Sequence, residues 1–227
     1  MLFRSAAQEA LTNNELAIID PLTGLLNRRG GEEQVRKLIQ TLYRRRHSIS
    51  DQHRRSGEST LTSHQRKDDK ATFFVAIVDL DHFKKINDTY GHLTGDEALK
   101  HAASLLATDT RPEDILYRFG GEEFVFIAQC KDSADSETIF QRKLNSLRIN
   151  YFRISQEESK PLLASIGFAE FDPTEGYKSY EAAFQRADAR LYMAKNNGRN
   201  QVVGKDIPLL PQPQSGSAAL YDPSPKV

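Results

Sequence analysis

The residues Phe73-Phe74-Val75-Ala76-Ile77-Val78, or FFVAIV, form a continuous run without a polar side chain. The run is too short for a typical helix but suits a strand whose two faces are both covered by other elements. We therefore place it at the centre of a sheet. Asp79 and Asp81 follow directly, so the end of this strand carries carboxylates.

The surrounding sequence predicts an α/β (α+β) fold, because helical and strand patterns alternate around the apolar run. The four residues Thr94-Gly95-Asp96-Glu97 are typical of a helix capping box. Gly120 and Gly121 separate two apolar runs, which predicts a hairpin in a partly antiparallel sheet. The predicted helices cover 29–44, 94–108, 140–147 and 180–197, the hairpin covers 117–128, and another strand covers 163–171.

The chain is predicted to have one structured body with polar appendages. Residues 1–19 place apolar side chains at helical spacing, and the body follows from 20 to 204. Residues 44–70 carry eight cations and four anions with only two apolar side chains, which predicts a solvated loop or disordered insertion. Residues 205–227 are rich in proline and predict an extended tail.

The composition excludes several classes of protein. The 31 Lys and Arg residues equal the 31 Asp and Glu residues, which argues against a strongly basic nucleic-acid binder. The single cysteine, Cys130, excludes an intramolecular disulfide and a four-thiolate zinc site. No apolar run reaches the roughly 18 residues of a membrane span, and no signal peptide is recognisable. We therefore expect a cytoplasmic chain with no membrane segment.

Carboxylates are predicted to meet where the central strand and the hairpin end. If the two elements are neighbours, Asp79 and Glu122 face each other. Two hard oxygen ligands suit a divalent cation such as Mg²⁺, which prefers carboxylates and substrate phosphates. The glycine pair would let a bulky ligand approach the backbone. The alternative is that Asp79 starts a loop and Glu122 is a solvated turn residue.

Six ordered blocks of the sequence resemble the GGDEF family of diguanylate cyclases over residues 18–204. The signature stands here as a GGEEF variant within Arg118–Phe124. The other blocks are 20–29 (DPLTGLLNRR), 79–88 (DLDHFKKIND), 91–96 (GHLTGD), 165–169 (SIGFA) and the stretch from Ala187 to Asn200. The resemblance implies a central mixed five-stranded sheet flanked by helices, similar to nucleotidyl cyclases and polymerase palms, with 1–19 as a linker helix.

This resemblance implies that the chain condenses two GTP molecules into cyclic di-GMP with release of two pyrophosphates. It further implies a homodimer, because each domain holds one GTP. Asp79, Glu122 and the Leu80 carbonyl are the implied ligands of Mg²⁺ (or Mn²⁺). Glu122 would also help to remove the proton of the attacking hydroxyl, and Glu123 would support metal binding or the turn.

The resemblance also implies the residues that bind the nucleotide. Asn87 and Asp96 would read the guanine edge, because together they supply donors and acceptors. The phosphates would lie against Lys195, Arg199, Lys84 and backbone amides near His82 and Phe83. Taken alone, Asp96 would only stabilise a helix N-terminus, and the pair Lys195 and Arg199 would only complement a helix C-terminus.

A further motif, Arg111-Pro112-Glu113-Asp114, matches the family's inhibitory site for cyclic di-GMP. Arg111 would clamp phosphate or stack on guanine, and Asp114 would read the guanine edge. The local alternative is a polar turn after a helix. The resemblance therefore implies inhibition by the product.

Two functions compete on this evidence. The first is an active diguanylate cyclase, and the second is a catalytically silent module that binds GTP or cyclic di-GMP. The complete set of signature residues favours the enzyme. A template-directed polymerase is disfavoured because the chain has no surplus of cations for a nucleic-acid channel.

Overall fold

The computed structural model describes residues 18–56, 72–131, 133–155 and 157–204. The predicted tail lies outside these residues, as does the predicted N-terminal helix except for its last two residues. Of those two, Ile19 forms a bridge with Leu26. Within the described part of the chain, no helix has both the length and the apolar character needed to cross a membrane.

A mixed five-stranded sheet forms the centre of the fold, which confirms the predicted fold class. Its strands stand in the order β2-β3-β1-β6-β7, antiparallel except for the parallel pair β6 and β7. The strands of this sheet are β1 (Thr72–Leu80), β2 (Ile115–Gly120), β3 (Glu123–Cys130), β6 (Ala164–Phe171) and β7 (Val202–Val203). A separate small hairpin pairs β4 (Phe152–Arg153) with β5 (Ser159–Lys160).

Helices cover both faces of the sheet. The helices are α1 (Arg28–Ser56), α2 (Phe83–Tyr90), α3 (His92–Ala107), α4 (Ser133–Ile149) and α5 (Tyr177–Asn196), with a 3₁₀ turn at Pro173–Glu175. Helices α1 and α5 pack on one face, and α2, α3 and α4 pack on the other. The predicted helix ending near Asn197 is confirmed, since Asn197 caps α5.

The central strand is buried on both faces, as the FFVAIV run predicts. Phe74 and Val78 pack toward α3 and α4, whereas Phe73 and Ile77 pack toward α1 and α5. Side chains alternate along a strand, so Asp79 belongs to the α1–α5 face. The apolar run therefore sets which layer the first carboxylate faces.

The prediction of a loop from residue 44 onward is wrong for 44–56, because α1 continues to Ser56. Arg and Gln have good helix propensity, and extending an existing helix costs little compared with nucleating one. Arg46 also anchors this part of the helix, since it hydrogen-bonds Thr174 and lies 3.8 Å from Asp172 Oδ2. Residues 57–70 of the basic insertion lie outside the described residues.

The predicted capping box at Thr94 is also wrong. Helix α3 begins earlier, at His92, and its N-cap is Gly91 without a side-chain cap. Thr94 Oγ1 instead donates to the Tyr90 carbonyl, 2.9 Å away. The short break at Gly91 lets α2 lead directly into α3, so Thr94 lies inside a helical turn where its hydroxyl bonds back to a carbonyl.

Candidate active site

Asp79 forms an ion pair with Lys195 at the end of the central strand. Lys195 Nζ, on the last turn of α5, lies 2.8 Å from Asp79 Oδ2, and the Asp79 side chain is only 8% exposed. Burial raises the pKa of Asp79 although Lys195 opposes the rise, and the charges of Glu122 and Asp81 add to it. Burial and the neighbouring carboxylates thus disfavour the charged form of Asp79, and Lys195 compensates for this only in part.

The hairpin brings two glutamates to the same place. Glu123 pairs directly with Asp79 across β1 and β3. The Leu80 amide donates to the Glu122 carbonyl at 3.3 Å, so Glu122 lies beside the end of β1. Burial and the charge of Asp79 both raise the pKa of Glu123. The structure therefore assembles Asp79, Leu80, Glu122 and Glu123 as the sequence predicts.

The glycine pair leaves the turn open. Within residues 18–204 as described, a methyl group added at Gly120 or Gly121 would meet nothing within 4 Å. Gly121 has a φ of 49°, a conformation that favours glycine. A ligand can therefore reach the backbone of this turn directly.

Arg118 and Asp20 hold this turn, and sequence reasoning assigned neither a role. The Arg118 guanidinium donates from Nε and Nη2 to the Gly121 carbonyl, at 3.1 and 2.8 Å. It also pairs with Asp20 Oδ2 at 3.1 Å, and Thr23 donates to the other Asp20 oxygen. Both residues stand in blocks of sequence that resemble the family, and this could have indicated that they have a role.

Asp81 does not share the environment of Asp79, although it lies two residues further along. Ser165 Oγ donates to its Oδ1 and the Asn200 amide donates to its Oδ2, both at 2.8 Å. Asp81 therefore fastens β1 to β6 and to the segment after α5. Its two oxygens are engaged with the protein itself.

Asp188 is a further carboxylate of the site that sequence reasoning missed. It lies seven residues before Lys195 on α5, which places both on one side of the helix two turns apart. Partial desolvation raises the pKa of Asp188, and Lys195 opposes that rise. Asp188 also adds to the negative charge that raises the pKa of Glu123. The seven-residue spacing was the signal that could have identified it.

The predicted guanine-reading residues lie on the adjoining helices α2 and α3. A methyl group on Gly95 would collide with the Asn87 side-chain oxygen, so the absence of a side chain at Gly95 makes room for Asn87. Asp96 follows Gly95 on α3 and is half-buried. The structure thus brings Asn87 and Asp96 close to one helix junction.

The predicted phosphate cradle is only partly assembled. His82 has a φ of 59° and opens the turn into α2, with Phe83 buried beneath it and Lys84 exposed. Arg199 is exposed just past α5, with a φ of 64° and its amide bonded to the Ala194 carbonyl. The Lys195 ammonium is turned toward Asp79.

The predicted inhibitory motif forms a closed loop before β2. The Arg111 amide donates to Asp114 Oδ2, and the Asp114 amide donates to the Arg111 carbonyl, both at 3.0 Å. Burial raises the pKa of Asp114, and its buried Oδ1 has no hydrogen-bond partner among the residues that the structure describes. Arg111 is exposed.

The donor set fits a divalent cation. The Lys195 ammonium pairs with Asp79, and its charge also acts on Glu123 and Asp188, while Glu122 acts on Asp79, so carboxylates outnumber the ammonium in this group of side chains. Among residues 18–204 as described, no three His, Cys, Asp or Glu side chains stand in a metal-binding arrangement. The predicted ligand set contains two carboxylates and a carbonyl, so it does not require a third side chain.

Comparison with known proteins identifies the family of this chain. The family model described as "Diguanylate cyclase, GGDEF domain" matches residues 53–201. Diguanylate cyclase DgcP of Pseudomonas aeruginosa is 33% identical over 186 residues, which are 82% of this chain and 24% of that protein. Response regulator PleD of Caulobacter vibrioides is 36% identical over 192 residues, 84% of this chain and 37% of that protein. The chain spans about a quarter to a third of the first curated relatives.

Solved structures show the same fold. The GGDEF domain of DgcB from Caulobacter crescentus, determined in complex with c-di-GMP, is 29% identical and superposes with a TM-score of 0.63 over 83% of this chain and 93% of that one. Diguanylate cyclase SiaD from Pseudomonas aeruginosa, in complex with its activator SiaC, gives a TM-score of 0.64 at 29% identity over 89% of this chain and 69% of that one. The chain therefore belongs to the GGDEF domain family of diguanylate cyclases.

Proposed function

We propose that this chain is a diguanylate cyclase, which condenses two GTP molecules into cyclic di-GMP and two pyrophosphates. One observation carries the proposal: Asp79, Glu122 and Glu123 meet beside the Lys195 ammonium, next to an open glycine turn. This arrangement combines oxygen ligands for a cation with access for a nucleotide. Membership of the family supports the assignment.

Asp79, the Leu80 carbonyl and Glu122 would hold Mg²⁺ (or Mn²⁺). When bound, the cation would offset the triphosphate charge and make the 3′-hydroxyl more acidic. Glu123 supports the site through its direct pairing with Asp79. Lys195 Nζ lies 2.8 Å from Asp79 Oδ2 at this site, and it would neutralise part of the phosphate charge of a bound nucleotide.

The remaining predicted residues would orient GTP. Asn87 and Asp96 read the guanine edge from the junction of α2 and α3. The exposed cations Lys84 and Arg199 and the amides near His82 and Phe83 face the phosphates. Holding the 3′-hydroxyl and the α-phosphorus in the correct relative position supplies a large part of the rate enhancement in reactions of this kind.

The reaction requires a homodimer. Each 3′-hydroxyl oxygen forms a bond to the α-phosphorus of the other GTP, and the bond from that phosphorus to the pyrophosphate oxygen breaks. Glu122 accepts the hydroxyl proton. One domain holds one GTP, so two copies of the chain meet face to face for both bonds to form.

Product inhibition would act through Arg111 and Asp114. Asp114 Oδ1 has no hydrogen-bond partner among the described residues, and the charge of the exposed Arg111 acts on the Asp114 carboxylate. An acceptor for guanine N–H groups and a cation for phosphate suit cyclic di-GMP. The relative DgcB was solved in complex with that compound, which supports the proposal.

The test is turnover of GTP by the purified chain with Mg²⁺, with the products separated by chromatography. We expect cyclic di-GMP from the native chain and a loss of at least about 100-fold in Glu122→Gln. Glu137→Gln, an exposed glutamate on α4, is the matched control and keeps full activity. Binding of GTP without any product at high protein concentration would instead establish the silent module.

A further inference from the structure

Helix α4 carries a lysine that is buried in the protein. Lys143 is only 4% exposed. Its Nζ donates to the Leu106 carbonyl at 2.8 Å, to Thr110 Oγ1 at 3.1 Å and to the Thr108 carbonyl. A lysine ammonium has three donors, so all three are used. Buried lysines are uncommon unless paired, and this one binds neutral oxygens of a single segment.

The bonded oxygens belong to the end of α3. The last carbonyls of a helix lack partners inside the helix, and the negative end of the helix dipole attracts a cation. Lys143 supplies both the donors and the charge from a neighbouring helix. Its ammonium also lies 5.1 Å from the centre of the Phe126 ring, over one face of a core strand. Lys143 thus fixes where α3 ends against α4 and the sheet.

The segment held by Lys143 leads directly into the Arg111–Asp114 loop. Thr110, whose hydroxyl donates to the Leu106 carbonyl at 3.0 Å, directly precedes Arg111. The loop is closed at its other side by the two bonds between Arg111 and Asp114. One buried cation therefore anchors the loop at its start, and Asp114 closes it at its end.

We propose that Lys143 is a positioning residue for cyclic di-GMP: its charged ammonium holds the 106–110 segment so that Arg111 and Asp114 present one binding geometry. The inference rests on the proposed function, since it takes Arg111 and Asp114 as the product site. Lys143 does not contact the ligand. It acts through the backbone that carries the two contacting side chains.

Because Lys143 can lose its proton, its positioning role should make the affinity for cyclic di-GMP depend on pH. Burial lowers the pKa of Lys143 to about 8, while Asp109 and Asp114 oppose the fall and Arg142 adds to it. Arg111 and Glu113 are the other charged groups of the loop. Above this pH the ammonium loses its charge and one of its three donors. The loop then loosens, and affinity for cyclic di-GMP falls as the pH rises from 7 to 8.5.

The experiment is calorimetric titration of cyclic di-GMP into the full chain without GTP, at pH 7 and pH 8.5. Native affinity falls severalfold between the two. Lys143→Met, which keeps the volume and removes the charge, binds about tenfold more weakly at pH 7 and shows no pH dependence. Lys143→Arg stays charged, so it binds well at both pH values. Lys131→Met, at an exposed lysine, behaves like the native chain.

Native-like affinity of Lys143→Met would overturn the inference, as would identical pH profiles in the native chain and Lys143→Arg. If Lys143→Met does not fold, the comparison of native chain and Lys143→Arg decides the question alone. Turnover of GTP is measured separately. If cyclic di-GMP binds with the expected pH profiles but GTP is not turned over, only the cyclase assignment is refuted. If GTP is turned over but cyclic di-GMP does not bind, the product site at Arg111 and Asp114 is refuted, and this inference with it.

Discussion

Arg118 joins Asp20 to the glycine turn: its Nη1 lies 3.1 Å from Asp20 Oδ2, and its Nη2 donates to the Gly121 carbonyl at 2.8 Å. Both side chains of the ion pair are about 15% exposed. The pair connects the segment before α1 to the β2–β3 hairpin, which are 98 residues apart in sequence. The turn that carries Glu122 is therefore held from outside the hairpin.

Replacing Arg118 should damage activity more than folding. In Arg118→Met, Asp20 loses its charged partner and the Gly121 carbonyl loses two donors. We expect the free energy of unfolding, measured by urea denaturation, to fall by about 2 kcal/mol. We expect kcat to fall by about 100-fold, because the turn no longer holds Glu122 in place. Arg148→Met, at an exposed arginine, should change stability by less than about 0.5 kcal/mol. Unchanged kcat in Arg118→Met would contradict the positioning role.

Two glycines should respond in opposite ways to alanine. A methyl group at Gly31 collides with the Tyr117 ring, which is fully buried and cannot move aside. We expect Gly31→Ala to lose about 2–3 kcal/mol of unfolding free energy. The methyl group of Gly120→Ala meets no atom within 4 Å in the described part of the chain, so this variant should unfold like the native chain. It should turn over GTP more slowly, because the methyl group blocks nucleotide approach. Equal stabilities of the two variants would refute this reading.

Gly95→Ala should weaken GTP binding without weakening the fold. The added methyl group displaces the Asn87 side chain, which is only half-buried and free to turn away. Alanine is also a better helix former by about 1 kcal/mol. We expect KM for GTP to rise about tenfold. Asn87→Ala should raise it similarly, and the double variant should add little more. Additive effects would show that the two residues act independently.

Asp79→Asn should separate metal binding from folding. The variant removes a buried charge whose pKa is raised by desolvation, so metal-free stability should rise by about 1 kcal/mol. Mg²⁺ should increase the Tm of the native chain by mass action and leave that of Asp79→Asn unchanged. Asp88→Asn, at an exposed aspartate on α2, should keep the Mg²⁺ response. A retained response in Asp79→Asn would exclude Asp79 as a ligand.

Lys143 should make stability depend on pH. Its folded pKa of about 8 lies below the ordinary lysine pKa of 10.5, so between these values the unfolded chain binds more protons. The native chain should therefore gain stability relative to Lys143→Met as the pH rises from 8 toward 10.5, by at most about 3 kcal/mol. Below pH 8 the difference should be constant. Urea unfolding at pH 7, 8.5 and 9.5 measures it, and parallel curves would show that the pKa is not lowered.

Local patterns predicted most of the fold. The FFVAIV run, the glycine pair and the Asn197 stop each depend on neighbours in sequence, and the structure confirms all three elements. The prediction failed at 44–56 because a helix already nucleated can continue through polar residues. It failed at Thr94 because the position of a helix start depended on how α2 meets α3.

The sequence predicted which residues form the candidate site but not which contacts hold them. Asp79 and Glu122 come together as expected. Asp81 instead hydrogen-bonds Ser165 and Asn200. Its position in the sequence did not predict these bonds, because the alternation of side chains along a strand indicates which face of the sheet a residue lies on but not which residue it contacts. Asp188 shares a helix face with Lys195, yet only packing of α5 on β1 brings that face to Asp79.

The sequence by itself determined the family, the central strand and the identity of the signature residues, because these depend on residue types at short spacing. Only the tertiary structure decided which partner each charged side chain contacts: Lys195 contacts Asp79, Arg118 contacts Asp20, and Lys143 contacts the end of α3. Each of these contacts joins segments far apart in the chain. The energy of a buried charge depends on the partners and the solvent that packing leaves around it, and neither is present in local sequence.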